Sequence, residues 1–458
     1  MRMLHAAHQI YRRLELLALK RGIGRTHIQA TLFLIAVTGF IALSTYLTIL
    51  YYDSFPRIQR FRSSGWKECA VSSVLPEPKN SLPDPRWQRI LEKVWVYSAF
   101  VTDKHPPQLT VEVIAIVELA ENRFLDDAEC QCVFGGDKGA VKAEMRVHNE
   151  ARRDRHGTQY GDVRFICDIP PDVNTASVGV QCRSRSACDT VALPVHPLPD
   201  EWPRKLSMAV CGPVLYGNVS VNRLIEFIEY YQLIGIEKFI FYVDNPHSDL
   251  QKTLDYYHAL GKVDFLNWKI PGINLTDYEE IWYYGQTAAY NDCAERTGYL
   301  WDYTLEVDLD EFVAITDRRP LSAVVRNGLD DCVIIRSTNM KLPPATASSK
   351  RLSPYSPADL LLRSSTHQSY IYPWYDRTKG LCRNRKVLNA GIHFPHFLTA
   401  GHSMRYADPD EEAVILHMRE ELLFEGTWPW VRWVVDERGS VYAERVAAHV
   451  ERVVQALG

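Results

Sequence analysis

Four acidic side chains, Glu306, Asp308, Asp310 and Glu311, crowd the run TLEVDLDEFV, residues 304–313. One residue separates Asp308 from Asp310, so an extended chain would aim both carboxylates one way and Glu311 the other. Carboxylates that close an apolar strand are costly to bury unpaired, so they reach solvent or hold a cation. Hard oxygen ligands suit Mn2+ or Mg2+, and such ions commonly bridge protein carboxylates to substrate phosphates. The sequence carries no glycine-rich P-loop and no GxGxxG with which the backbone alone would cradle a phosphate. A metal clamp on a nucleotide diphosphate is therefore the natural chemistry, the ion acting as a Lewis acid toward the departing diphosphate. The bland alternative is a solvated strand end, the usual fate of an isolated D-x-D triplet.

Such carboxylates need elements to hold them. After the linker VHPLPDEWP, KLSMAVCGPV reads as a buried strand. NRLIEFIEYYQLIG follows with Leu224, Ile225, Phe227, Ile228 and Tyr231 on one helical stripe. KFIFYVDN predicts a strand, DLQKTLDYYHALG a helix, VDFLNW a strand, EEIWYYGQTAAYNDCAERTG a helix and YTLEVDLDEF a strand. Alternating strands and helices imply an α/β fold built on a mostly parallel, doubly wound sheet. Ligands of such sheets bind beyond the carboxyl ends of the strands, where YVDN (242–245) and VDLDE (307–311) both fall.

CGPVLYGN (211–218), IEFIEYYQLIGIEKFIFYVDN (225–245), YYGQTAAYNDC (283–293) and EVDLDEF (306–312) occur in one order. NRKVLNAGIHF (384–394) and AVILHMR (413–419) follow them. Together these resemble glycosyltransferase family 92, of the galactosyltransferase type, over roughly residues 205 to 425; VYSAFV (96–101) is similar to a run opening the family's upstream β region. The resemblance implies a GT-A nucleotide-sugar-binding domain, a UDP-sugar donor (usually UDP-galactose), a glycan or glycoprotein acceptor, and inversion at the anomeric carbon. It assigns Asp308 and Asp310 to the metal and diphosphate motif and His417 to a late metal or diphosphate contact. It places Pro213, Asp244, Asn245, Gln286, Asn291 and Asp292 about the donor, with Lys386 and His393 near the phosphates or acceptor. HMR stands where the family often has HYR, and methionine cannot make the tyrosine's hydroxyl bond. Each assignment has a plainer counterpart: Asp292 pairing within its own helix, Gln286 exposed, His393 structural. Inversion needs a general base. Glu311 is the nearest carboxylate, with Glu279, Glu280 and ADPDEE (407–412) as alternatives, and the sequence does not choose among them.

The remaining chain places this domain. Residues 28–52 carry no charge and are mostly apolar, and as a helix would span roughly 37 Å, enough for a bilayer core. This predicts a transmembrane signal anchor after a basic tail (1–27) containing Arg12, Arg13, Lys20 and Arg21. All ten cysteines follow it, as do the sequons at Asn218 and Asn274, matching an oxidising lumen. The expectation is a single-pass type II Golgi membrane protein. A Pro- and Ser-rich stem (53–90) leads to short alternating strands (91–200) that predict a small antiparallel β domain, binding glycan or merely supporting its neighbour. The transferase domain is expected over 205–440 and a C-terminal helix over 441–458. A net charge of −4 gives no reason to expect a nucleic-acid polymer as partner, and a homo-oligomer stays open. The rival functional readings are a catalytically silent glycan-binding scaffold of the same fold, a transferase using another UDP-sugar, and a metal-dependent phosphohydrolase.

Overall fold

The computed structural model describes residues 59–60, 85–119, 129–136, 139–143, 145–148, 156–183, 188–342, 360–374, 376–419 and 431–458. The apolar segment 28–52 lies outside the described residues, and no helix among them is long and apolar enough to cross a membrane.

The first folded layer comprises β1 (Gln88–Leu91), β2 (Val94–Thr102), β3 (Thr110–Glu118), β4 (Glu129–Gly136), β5 (Gly139–Ala143), β6 (Met145–His148), β7 (Tyr160–Asp168), β8 (Val173–Arg183) and β9 (Cys188–His196). β6-β7-β3-β2 form one antiparallel sheet, with β1 also against β2, and β9-β8-β4-β5 form the other. A short parallel pairing of β9 with β2 joins them. Cys130–Cys182 staples β4 to β8, and Cys132–Cys167 crosses from β4 to β7 between the sheets. Inward residues such as Val96, Val113, Phe165, Val178 and Val180 fill the space between. β2 is buried along its whole length, because its other face packs against the next domain.

That domain contains β10 (Met208–Tyr216), α1 (Val221–Leu233), β11 (Lys238–Asp244), α2 (Ser248–Ala259), β12 (Val263–Asn267), α3 (Gln286–Gly298), β13 (Tyr303–Glu306), β14 (Glu311–Ile315), β15 (Cys332–Ile335), β16 (Ser337–Lys341), β17 (Thr366–Gln368), β18 (Lys379–Cys382), β19 (Met404–Tyr406), β20 (Ala413–Arg419), β21 (Trp433–Val435) and α4 (Ala443–Leu457). Its main sheet is ordered β12-β11-β10-β13-β18-β15-β19. The first four strands are parallel, and β18 runs against both β13 and β15. A second sheet is ordered β14-β20-β16-β17-β21.

The predicted α/β alternation holds, and its physical causes are local. Ser220 caps α1 by accepting the Arg223 amide, and the stripe Leu224, Ile225, Phe227, Ile228 and Tyr231 is buried against the sheet. Gly235 ends the helix at φ 114, a backbone conformation side chains resist. Two boundaries differ from expectation. The helix foreseen from Glu279 begins only at Gln286, because Tyr283, Tyr284 and Gly285 all take left-handed φ. The strand foreseen through Phe312 stops at Glu306, and β14 starts in the other sheet.

Candidate active site

β10 leads outward to β11 and β12 on one side, and the chain then returns to place β13 on the other. Strand order reverses between β10 and β13, the position where open α/β sheets bind ligands. Asp308, Leu309 and Asp310 form the turn just beyond β13. Glu311 Oε2 accepts the Asp308 amide at 3.0 Å, and the Glu311 amide donates to Asp308 O at 3.1 Å, closing that turn. The D-L-D run is thus the junction between two sheets rather than a strand end. The two aspartates consequently do not share one strand face, which corrects the extended-chain reading.

Each aspartate meets its own partner. Asp308 Oδ2 pairs with Lys379 Nζ at 2.7 Å, and Asp308 Oδ1 accepts Gln286 Nε2 at 2.9 Å. Asp310 Oδ2 lies 3.3 Å from His417 Nε2, while Asp310 O accepts the Met418 amide at 2.8 Å. Methionine in the HMR run thus contributes its backbone here, its side chain being buried in the core. Register explains the assembly: β14 and β16 flank β20, so Glu311 and Asn339 both pair with His417. Lys379 opens β18, whose antiparallel course brings its first residue to the carboxyl end of β13. Its ammonium also reaches Glu311 Oε2 at 3.2 Å and Ile392 O at 3.3 Å.

Exposure separates the roles. Asp308 and Asp310 keep 29% and 36% of their side-chain surface, whereas Glu311 keeps 2% and Lys379 1%. Burial pushes the Asp308 carboxyl up, but the Lys379 charge and the bonds from Lys379 and Gln286 outweigh it and hold the group below its usual range. Burial raises Glu311 despite Lys379. Burial pulls His417 down, yet the hydrogen bond and charge of Asp310 leave it above the ordinary value. Glu311 is therefore enclosed by Lys379, His417 and the Asp308 amide with 2% of its side chain exposed, which argues against it as the general base, a group that must reach the acceptor hydroxyl. Glu280 accepts the Asn274 amide and Glu412 pairs with Arg405, so these alternatives are also engaged.

The donor set has the chemistry of a divalent-cation site. Asp310 and His417, paired here at 3.3 Å, are the residues that would hold such an ion. Among the described residues no group of three or more His, Cys, Asp or Glu side chains is already gathered about one point. Asp308 is the neighbouring carboxylate, turned toward Lys379.

Gln286 opens α3, and the left-handed Tyr283-Tyr284-Gly285 segment before it is held by Trp268 Nε1 donating to Tyr284 O at 2.9 Å. Tyr284 stacks on Tyr216, the last residue of β10, and its hydroxyl bonds those of Tyr216 and Tyr278. Asp244 pairs with Tyr216 across the ladder, and Asn245 follows at φ 49. Burial raises the Asp244 carboxyl, with Lys269 opposing. Pro213 lies where β10 loses register with β11, and Gly212 beside it leaves room for the Phe241 ring, which an added Cβ would strike at 2.3 Å. Cys211–Cys293 ties this strand to α3.

Other expected donor contacts lie elsewhere. Asp292 is fully buried, bonded by Ser98 of β2, Tyr242 and Arg296. Asn291 donates to Asp162 of β7 and accepts the Ala390 amide. Both tie the transferase domain to the β domain instead of lining the cleft, because their helix face points there. Lys386 sits on the turn packed against Gly298 at the far end of α3, about 18 Å along the helix from Gln286. His393 adjoins Ile392, whose carbonyl Lys379 contacts. Sequence reasoning missed Lys379. Its signal, a lone lysine opening the short apolar run KGLC, is weak. Tyr283 and Arg419 were also missed; the charges of Asp308, Arg419 and Lys379 all act on Tyr283, and Arg419 acts on His417 too.

A β-1,4-galactosyltransferase of Caenorhabditis elegans is 25% identical over 381 residues, spanning 77% of this chain and 83% of that protein. A galactan β-1,4-galactosyltransferase of Arabidopsis thaliana is 28% identical over 126 residues, covering 27% of this chain and 24% of that protein. A solved glucosyl-3-phosphoglycerate synthase of Mycobacterium tuberculosis aligns over 54% of this chain and 78% of that one, at 13% identity with a TM-score of 0.24, too low to carry an argument. The model of glycosyltransferase family 92 matches residues 207–441, a little over half the chain, from β10 to the approach of α4. The chain belongs to glycosyltransferase family 92 and is a glycosyltransferase.

Proposed function

We propose that the protein transfers galactose from UDP-galactose to a glycan acceptor, inverting the anomeric carbon, with Mn2+ or Mg2+ held at Asp310 and His417 beside Asp308. The observation that carries this reading is the convergence of Asp308, Asp310, His417 and Lys379 at the switch point of the main sheet. The names of the relatives supply the galactosyl preference.

The bound ion would neutralise charge on the leaving diphosphate. The protein's own groups do the rest. Lys379 pairs with both Asp308 and Glu311 and so offsets the repulsion between the two carboxylates, holding the three groups at fixed spacing. Glu311 positions the turn through the Asp308 amide. Tyr216, half-buried and backed by the buried Tyr284 ring, would offer an aromatic face for the base, and Asp244 an acceptor for its N–H. Arg419 adds positive charge on the phosphate side. Four disulfides among the described residues suit an oxidising compartment, in keeping with a luminal, Golgi-anchored enzyme.

The test is UDP release by the full chain across a panel of UDP-sugars, with and without Mn2+. UDP-galactose with Mn2+ is expected to be turned over fastest, and Asp310→Ala to lower the rate roughly a hundredfold or more at unchanged thermal stability. Wild-type rates in Asp310→Ala would remove the metal role; faster turnover of another UDP-sugar would remove the galactosyl assignment.

A further inference from the structure

The carboxyl edge of the main sheet continues past Lys379. β15 runs against β18, and β19 runs parallel to β15, so β19 points the same way as β13. Its last residue, Tyr406, therefore stands on the same edge as Asp308. Ile335 pairs with Lys379 and Ile334 with Tyr406, which sets Tyr406 about two strand spacings, ~10 Å, from Lys379. This is the side away from Tyr216 and Asp244, which lie toward β11.

Two large rings are exposed there. Tyr406 is 44% and Trp374 52% accessible, with ring centroids 5.9 Å apart and planes inclined by 57°. Trp374 is anchored to the reaction centre rather than to a remote loop. The buried Thr378, immediately before Lys379, donates to Trp374 O at 3.4 Å and His393 O at 3.0 Å. Exposed aromatic surface beside a polar cleft is matched by a partner with one apolar face and a polar rim. A hexopyranose such as galactose has that form: ring C–H groups on one face and hydroxyls around it.

We infer that Trp374 and Tyr406 form the acceptor subsite, stacking a hexopyranose ring of the acceptor glycan on the side of Lys379 opposite the nucleotide. The inference rests on the transferase reading above and adds to it the place and chemistry of acceptor recognition. Trp374 precedes β18, which carries Lys379, and Tyr406 ends the edge strand of the same sheet, so the platform is fixed to the sheet that holds Lys379.

Trp374→Ala, Tyr406→Ala and Trp374→Phe in the full chain provide the test, read by acceptor KM, kcat, UDP affinity by calorimetry, and saturation-transfer NMR with a galacto-oligosaccharide. Each alanine variant is expected to raise acceptor KM roughly tenfold while kcat and UDP affinity stay within about twofold, and phenylalanine to restore most of the loss. An unchanged acceptor KM in both alanine variants of an active enzyme overturns the platform, as does a loss confined to kcat. If the wild-type chain releases UDP from no UDP-sugar, the transferase reading fails separately. Oligosaccharide binding then decides the platform: saturation transfer to sugar C–H protons that disappears in Trp374→Ala supports it, and its absence from the wild type overturns it.

Discussion

Lys379 is the residue about which the site is balanced. Its ammonium is buried and is held charged by Asp308 and Glu311, well above its ordinary pKa although burial opposes this. Removing one partner of a buried ion pair strands the other, so Lys379→Met is expected to cost about 3–5 kcal/mol and to abolish measurable transfer. Adding Glu311→Gln should recover part of the stability, because the most deeply buried carboxylate is then neutral, yet leave transfer absent. Thermal melts and UDP-release rates of the single and double variants check both halves. Recovery of activity in the double variant would mean that Lys379 acts only as a structural counter-ion.

At the scale of elements, α1 carries a charge that the sheet alone does not explain. Glu226 is buried in it and accepts the amides of Leu361 and Leu362 at 3.1 and 2.9 Å, joining the helix to the turn at 361–363. Burial pushes its carboxyl up to about 7, the two amides only partly offsetting this. A raised folded-state pKa means the group's stabilising contribution is full below its unfolded value near 4.5 and is lost as pH rises through about 7. The wild-type protein should therefore lose about 3 kcal/mol relative to Glu226→Gln between pH 4.5 and pH 8. Denaturant melts of both proteins across that range measure it, and parallel pH profiles would refute it. α3 is the other decisive element: its late start lets Gln286 meet Asp308, while Asn291 and Asp292 turn to the β domain.

Across the whole described molecule, the β domain and the transferase domain share a core. Trp87, Trp95, Tyr97 and Ile116 pack with Tyr242, Trp268, Ile281 and Ala289. Tyr160 also pairs through its backbone with the segment entering α3, so the β domain braces the left-handed turn that precedes Gln286. Buried charges meet at the boundary: Lys104 pairs with Glu295 across it, and Glu112 pairs with Arg164 on the β-domain side. Burial raises Glu295 to about 7 despite Lys104. Lys104→Met is expected to lower stability by about 3 kcal/mol or more, and Lys104→Met with Glu295→Leu to restore most of it. Calorimetry should show one transition covering both domains in the wild-type protein, since neither buries its facing surface alone; two separate transitions would contradict the shared core.

What the sequence determined by itself was whatever depends on local periodicity and on ordered motifs. The strand–helix alternation from Met208 to Glu306 follows from residue spacing. The placing of acidic runs at strand ends followed from the same alternation, and in the structure Gln286 meets Asp308 while His417 meets Asp310. Tertiary structure alone decided which partner each side chain takes. A one-residue spacing places two carboxylates together only while the chain is extended, and the chain turns between sheets at Leu309. Lys379 lies 71 residues from Asp308 and reaches it through antiparallel register, which leaves no mark in local pattern. Asn291 and Asp292 belong to the motif's helix but to its other face, and only the packed β domain shows which face is the cleft.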